Sequence, residues 1–82
     1  MERQFKGLAN HWRVKILLKL AKRPGINLDE LCFELKGNIK TISEHTRKLA
    51  LAGLIEKQYL GRSVIHTLTD EGKSFYRFME TF

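Results

Sequence analysis

Lys40, Ser43, Glu44 and Arg47 fall at i, i+3, i+4 and i+7, a spacing that places them on one face of a helix. With Thr41 they make a set of hydrogen-bonding side chains and cations. Duplex DNA is the partner such a set suits. Donors and acceptors near a helix start reach base edges, and cations beside them meet phosphates. Arg47 can bond guanine in a bidentate manner or hold a phosphate. Thr41 and Ser43 can serve either role, and Thr41 also offers a methyl to thymine. Glu44 repels phosphate, so it either accepts from a cytosine amino group or sits beside Arg47 as a simple helix neighbour. A solvated helix face is the plain alternative for the whole set.

The segments around this face weigh against that alternative. NIKTISEHTRKLALAGLIEK leads straight into YLGRSVIHTL. Residues 55–60 and 63–68 are β-prone runs flanking Gly61-Arg62, and a two-residue Gly-X loop signals a type II′ hairpin. The hairpin offers Lys57, Gln58, Tyr59, Arg62 and Ser63. A thin ribbon with a cation at its tip fits the narrow, negative minor groove or neighbouring phosphates. Arg62 stands at that tip. The other reading is an ordinary exposed hairpin whose lysine discourages edge pairing. Tyr59 offers a stacking ring or packs on its neighbours.

Other elements must position these two. The spacing predicts a buried helix over residues 10–22, with Leu8, Trp12, Ile16 and Leu20 at four-residue steps and Val14, Leu17, Leu18 and Ala21 beside them. Asn10 is its expected cap, and residues 2–9 are expected as a brief separate helix using Phe5 and Leu8. KRPGIN breaks the chain. Asn27 and Glu30 have the spacing of a capping box, opening a second helix with Leu28, Leu31, Cys32 and Leu35 inward. Gly37 is expected to take the left-handed conformation of the turn. The face-bearing helix is expected over residues 39–52, with Ile39, Ile42, Leu49 and Ala52 buried and His45 and Thr46 at or near that side. Gly53 ends it. Thr69 opens a last helix with Asp70 and Glu71 in its first turn. Phe75, Phe78, Met79 and Phe82 make its apolar stripe.

The chain has 82 residues, one cysteine and a formal charge of +6, from 15 Lys+Arg against 9 Asp+Glu. That length implies one small domain, 1–82. A lone cysteine excludes a disulfide scaffold and suits a reducing cytoplasm. The charge favours a polyanion without choosing among DNA, RNA and anionic lipid. MERQFKGLANHW is charged from its second residue, unlike a signal peptide. The longest mostly apolar stretch, 14–21, is broken by Lys15 and Lys19, far short of a membrane span.

His11, His45 and His66 are scattered, and one cysteine makes no thiolate cluster, which argues against a metal site within one subunit. His45 is expected to be packed or bonded to backbone. Cys32 reads as a small core residue, with redox sensing as the alternative. The glycines are isolated and form no phosphate loop. With no paired carboxylates in an evident pocket, an enzyme is not expected.

These residues resemble the arsenic-repressor (ArsR-type) family. FKGLANHWRVKILLKL is similar to that family's opening helix. NLDELCFELKGNIKTISEHTRKLALAGLIEK is similar to its helix-turn-helix through ELCFEL, TISEH, Leu49 and AGLI. YLGRSVIHTLT is similar to its Gly-Arg wing. The likeness spans about residues 5–72, and its TISEH and AGLI phrases are common to winged repressors, MarR-type and PadR-type included. Asn27 and Asp29 stand where thiol-based sensors of the family carry a cysteine pair, and residues 70–82 hold no histidine where zinc sensors do. Glu44 stands where a basic residue is common, and Thr46 and Lys48 where apolar ones are.

The resemblance implies a mainly α fold with a small β-hairpin (α+β), a winged helix-turn-helix of four helices, hairpin and final helix. It implies a double-stranded DNA-binding transcriptional regulator of repressor type, cytoplasmic, with no cofactor and no metal. Lys40, Thr41, Ser43, Glu44, Arg47, Lys57, Arg62 and Ser63 are its expected DNA-binding residues. Phe5, Leu8, Phe75, Phe78, Met79 and Phe82 are the expected homodimer interface, with closure of the core of a single chain as the stripe's alternative role. A winged helix used for protein interaction, or a small-ligand-sensing regulator, is the alternative.

Overall fold

The structure is a computed structural model that describes residues 2–81, with only the helical backbone described over 2–10. The chain begins with one helix, α1 (Glu2–Lys22), of 21 residues. The expected brief helix and the cap at Asn10 are therefore corrected. No proline interrupts this segment, and the lone Gly7 costs only about 1 kcal/mol against alanine. Breaking the helix there would require a second costly nucleus. Ile16, Leu17 and Leu20 are buried, while Leu18 is 36% exposed, so the apolar arc is narrower than its spacing suggests.

After Pro24-Gly25 comes a strand that sequence periodicity missed, β1 (Ile26–Asn27). It pairs antiparallel with β3 (Ser63–Leu68), Ile26 opposite His66. β3 in turn pairs with β2 (Ile55–Leu60), giving a three-stranded sheet in the order β1-β3-β2 rather than an isolated hairpin. Two residues are too few to show a period of two.

The helix α2 (Leu28–Leu35) starts on the expected capping box. Glu30 N–H donates to Asn27 Oδ1 at 2.8 Å, and Asn27 N–H donates to Glu30 Oε1 at 3.2 Å. In the turn that follows, Lys36 takes the left-handed conformation, with φ 56°, and Gly37 does not. Gly37 is needed for a different reason. A Cβ there would lie 2.7 Å from Ile42 Cδ1 and 2.9 Å from Trp12 Cη2. The turn spends its glycine on close packing, and a lysine bears a left-handed cost of about 1–2 kcal/mol.

Asn38 caps α3 (Ile39–Leu51), its Oδ1 accepting from Thr41 N–H at 2.8 Å. Ile42, Thr46 and Leu49 are its buried side. Thr46 tolerates full burial because its hydroxyl donates to the Ser43 carbonyl at 2.9 Å. Ile39 is 56% exposed and Ala52 is exposed, against expectation. Both stand at helix ends; α3 closes at Leu51, leaving Ala52 as the cap. Gly53, with φ 80°, ends the helix as expected.

The hairpin turns on Gly61, whose φ is 61°, while Arg62 keeps a negative φ. Positive φ at the first loop residue alone is what a type II′ turn requires. Thr69 then caps α4 (Asp70–Glu80), accepting from Gly72 N–H at 3.0 Å. Ile16, Leu17, Leu20, Ile26, Leu31, Ile42, Leu49 and Ile55 form one core beneath α3 and the sheet. The order of three helices, hairpin and fourth helix, with β1 closing the sheet, is a winged helix-turn-helix.

One buried polar group in this core makes stability pH-dependent. His66 is 1% exposed, and its Nδ1 lies 3.2 Å from the Ile26 carbonyl. That carbonyl only accepts, so the neutral ring carries its proton on Nδ1. Burial holds the imidazolium below its ordinary value of 6.5 despite that bond, and Lys57 adds to the depression. The unfolded chain therefore takes up more protons on acidification. The stability this site contributes is fully present above about 6.5 and is lost as pH falls through the lower folded value. We expect the melting temperature to drop between pH 7.5 and 5.5. In His66→Gln, which keeps a donor for Ile26, that drop should be smaller, leaving only other groups such as the half-buried His45. Equal drops in both proteins would remove His66 as the cause.

Candidate nucleic-acid interface

The outer face of α3 is open. Lys40, Glu44 and Arg47 are exposed, and Thr41 and Ser43 are half-buried beside them. This follows from the chain's local choices. Asn38 sets where the helix begins, and Ile42, Thr46 and Leu49 anchor its opposite side. Counting one turn beyond Arg47 reaches Leu51, 75% exposed on the same face and absent from the expected set. The i+4 step from Arg47 to Leu51 is legible in the sequence, but leucine carries no hydrogen-bonding group that would mark it as part of a DNA-reading set.

Arg47 donates from Nη2 to Glu44 Oε1, an ion pair one helical turn apart with both side chains half exposed. The bond from Arg47 holds the Glu44 carboxyl below the ordinary carboxylate range. Glu44 is thus paired with its helix neighbour while its side chain stays half exposed, which leaves both sequence readings open. The charge of Arg47 is also felt in the wing. Burial, and then the charge of Arg47, lower the Lys57 ammonium. Lys57 is half-buried on β2, opposite His66 of β3.

Arg62 and Ser63 are exposed at the hairpin tip, about 10 Å of strand beyond Lys57. The expected set thus divides into a patch on α3 joined by Lys57, and a separate tip. Tyr59 is 73% exposed and Leu60 53%. The tyrosine ring is offered to solvent, as stacking would require, instead of being packed away. Among the described residues, Lys40 and Arg62 form no ion pair, whereas Lys19 and Arg23 are tied to Glu34 and Glu30 of α2.

Other candidate residues sort as follows. The Cys32 thiol is half-buried and raised by burial and by Asp29, the reverse of what a reactive thiolate needs. His45 is packed rather than bonded to backbone. Its Nδ1 is buried without a hydrogen-bond partner, and burial followed by Arg13 lowers the ring. No group of three metal-ligating side chains occurs among the described residues. No described helix is long and apolar enough to cross a membrane.

Of the expected dimer residues, Phe75 is 42% and Phe78 58% exposed, with ring centroids 6.5 Å apart. Met79 is partly buried against the core. Phe82 and the side chains of Phe5 and Leu8 lie outside the described residues. Phe75 and Met79 also line a cavity of about 500 Å³, together with Arg13, Val14, Leu17 and Leu54.

Residues 10–57 match the sequence profile of the family described as bacterial regulatory protein, arsR family. No curated protein matches the chain in sequence. Several solved structures share its fold. The PcaV transcriptional regulator from Streptomyces coelicolor, in complex with its natural ligand, is 28% identical, with TM-score 0.77 over 79% of this chain and 48% of that one. A MarR protein from Peptoclostridium difficile is 29% identical, with TM-score 0.79 over 84% of this chain and 47% of that one. A MarR transcriptional regulator from Methanosarcina mazei Go1 is 28% identical, with TM-score 0.81 over 85% of this chain and 48% of that one. The chain spans about half the length of these proteins.

Proposed function

We propose that this chain, which belongs to the arsR family of bacterial regulatory proteins, binds double-stranded DNA and represses transcription. In this reading α3 enters the major groove, and the hairpin lies on flanking phosphates or in the minor groove. The chain acts in the cytoplasm as a homodimer on a two-fold related site, with no metal or cofactor and no catalytic step. The observation that carries the reading is the open face of Lys40, Ser43, Glu44 and Arg47, continued by Lys57 onto a hairpin tipped by Arg62. Groove-entering helices need such a slim polar face with cations to one side. A protein-interaction module would instead place apolar surface there. Leu51 is the apolar member of that face, at its last turn.

A gel-shift titration on genomic fragments, repeated across salt concentrations, tests the reading. Lys40→Ala and Arg47→Ala should each weaken binding while leaving the melting temperature nearly unchanged, since both side chains are exposed. A lost base contact costs roughly 1–3 kcal/mol at one sequence position, and a lost phosphate contact weakens all sequences alike. Arg62→Glu should flatten the log–log salt dependence by about 0.9 or more, the share of one phosphate contact. Parent affinity and slope retained in all three variants would remove α3 and the wing as the DNA-contacting elements.

A further inference from the structure

Glu44 is the one acid in α3, and it stands at the centre of a face otherwise suited to a polyanion. It is half exposed, ion-paired with Arg47, and offered outward where the groove would be. An acid at that place opposes affinity for phosphate, so the role left to it is discrimination. We propose that Glu44 is the specificity-determining residue of this face: it accepts from a cytosine amino group, while Arg47, held against it, addresses a guanine in the neighbouring base pair. This rests on the DNA-binding reading above and names what that surface selects.

The geometry supports a paired readout. Residues three apart on a helix are separated by about 4.5 Å of rise, close to the roughly 3.4 Å step between base pairs. Adjacent base pairs are therefore within reach of Glu44 and Arg47 together. A carboxylate can only accept. In the major groove the donors are the cytosine N4 and adenine N6 amino groups. Adenine sets the N7 lone pair beside its amino group, facing the second carboxylate oxygen, whereas cytosine does not. Arg47 has further N–H groups beyond the one given to Glu44, and guanine O6 and N7 are the acceptors its fork matches. The pair also works when the partner is wrong. Off its target, Glu44 meets phosphate or a base acceptor, and Arg47 cannot turn to phosphate without leaving its carboxylate. Binding to arbitrary DNA is thereby weakened, and the ratio of specific to non-specific affinity rises.

Selection of duplexes from a randomised pool by the parent, Glu44→Gln and Glu44→Ala tests this, followed by salt titration on a non-specific duplex. The parent should select cytosine next to guanine, with roughly 5- to 150-fold preference over other bases at the cytosine. Glu44→Gln should move that one position toward adenine, the base a glutamine amide matches. Glu44→Ala should lose preference there, bind non-specific DNA more tightly, and steepen the salt slope by about 0.9 as Arg47 becomes free for a phosphate. Glu44→Gln keeps the side-chain shape, so its selected motif decides even where alanine lowers stability. Variants that select the parent motif with the parent slope overturn the role of Glu44 and leave the DNA-binding reading standing. A parent that enriches no motif overturns both.

Discussion

Gly72→Ala should lower the melting temperature by more than ten degrees, even though alanine is the better helix former by about 1 kcal/mol. Gly72 is buried in the first turn of α4, where the helix crosses the entry to β2. A Cβ built there would sit 1.9 Å from the Leu54 carbonyl oxygen and 3.0 Å from its carbon. That carbonyl is pinned. It accepts from Thr69 N–H at 3.0 Å, and Leu54 N–H donates to the Leu49 carbonyl at 3.0 Å. Relief requires α4 to move off the sheet, which breaks the Thr69 cap and uncovers Leu68. Overpacking of this kind costs about 3 kcal/mol, and each kcal/mol is worth about 4–8 °C in a domain of this size. Gly37→Ala is the informative contrast. Its close neighbours are side-chain atoms of Ile42 and Trp12, which have more room to give than a pinned backbone carbonyl, so a smaller loss is expected. Thermal unfolding of both variants beside Ser74→Ala, an exposed site on the same helix, measures the difference. A Gly72→Ala protein as stable as the parent would mean that α4 sits on the sheet less closely than described.

What could be read from residue order, and what could not, follows the range of the interactions. The capping box at Asn27 and the helix start at Thr69 were legible because each is a contact between residues three apart. The hairpin was legible because Gly61-Arg62 decides the turn locally. The polar face of α3 was legible because i, i+3, i+4 and i+7 is a property of the helix itself. The misses are non-local. β1 exists because Ile26 meets His66, forty residues away. Gly37 and Gly72 are needed by neighbours from other elements, which no local pattern reveals. The same holds within the site, where the proximity of Lys57 to Arg47 comes from packing β2 against α3.

Phe75→Glu combined with Phe78→Glu should turn a dimer into a folded monomer and reduce affinity for a two-half-site operator by about 10²- to 10⁴-fold. The size of the effect comes from linkage. Two reading helices on one particle make the second half-site an intramolecular encounter at an effective concentration near millimolar, and separation forfeits that gain. Half-sites about one DNA turn, roughly 34 Å, apart require a two-fold arrangement of this kind. The structure bears on the competing idea that the aromatic stripe closes the core of a single chain. Met79 does pack on the core, but Phe75 and Phe78 remain 42% and 58% exposed. Phe75 lines the cavity of about 500 Å³ between α1, the end of α3 and α4, which side chains from a partner's α4 could fill. A stable interface needs about 800 Å² from each partner. The eleven residues of α4 span only about 16 Å, so its stripe must be supplemented, and the beginning of α1, carrying Phe5 and Leu8, is the expected second contributor. Sedimentation at micromolar concentration, with far-ultraviolet dichroism and an operator titration on the same samples, reads all three consequences. Leaving Met79 in place keeps the core intact, so the double variant should retain its helix content as it dissociates. A parent that stays monomeric at high micromolar concentration would remove the dimer. A double variant that unfolds instead would assign the stripe to the core of one chain.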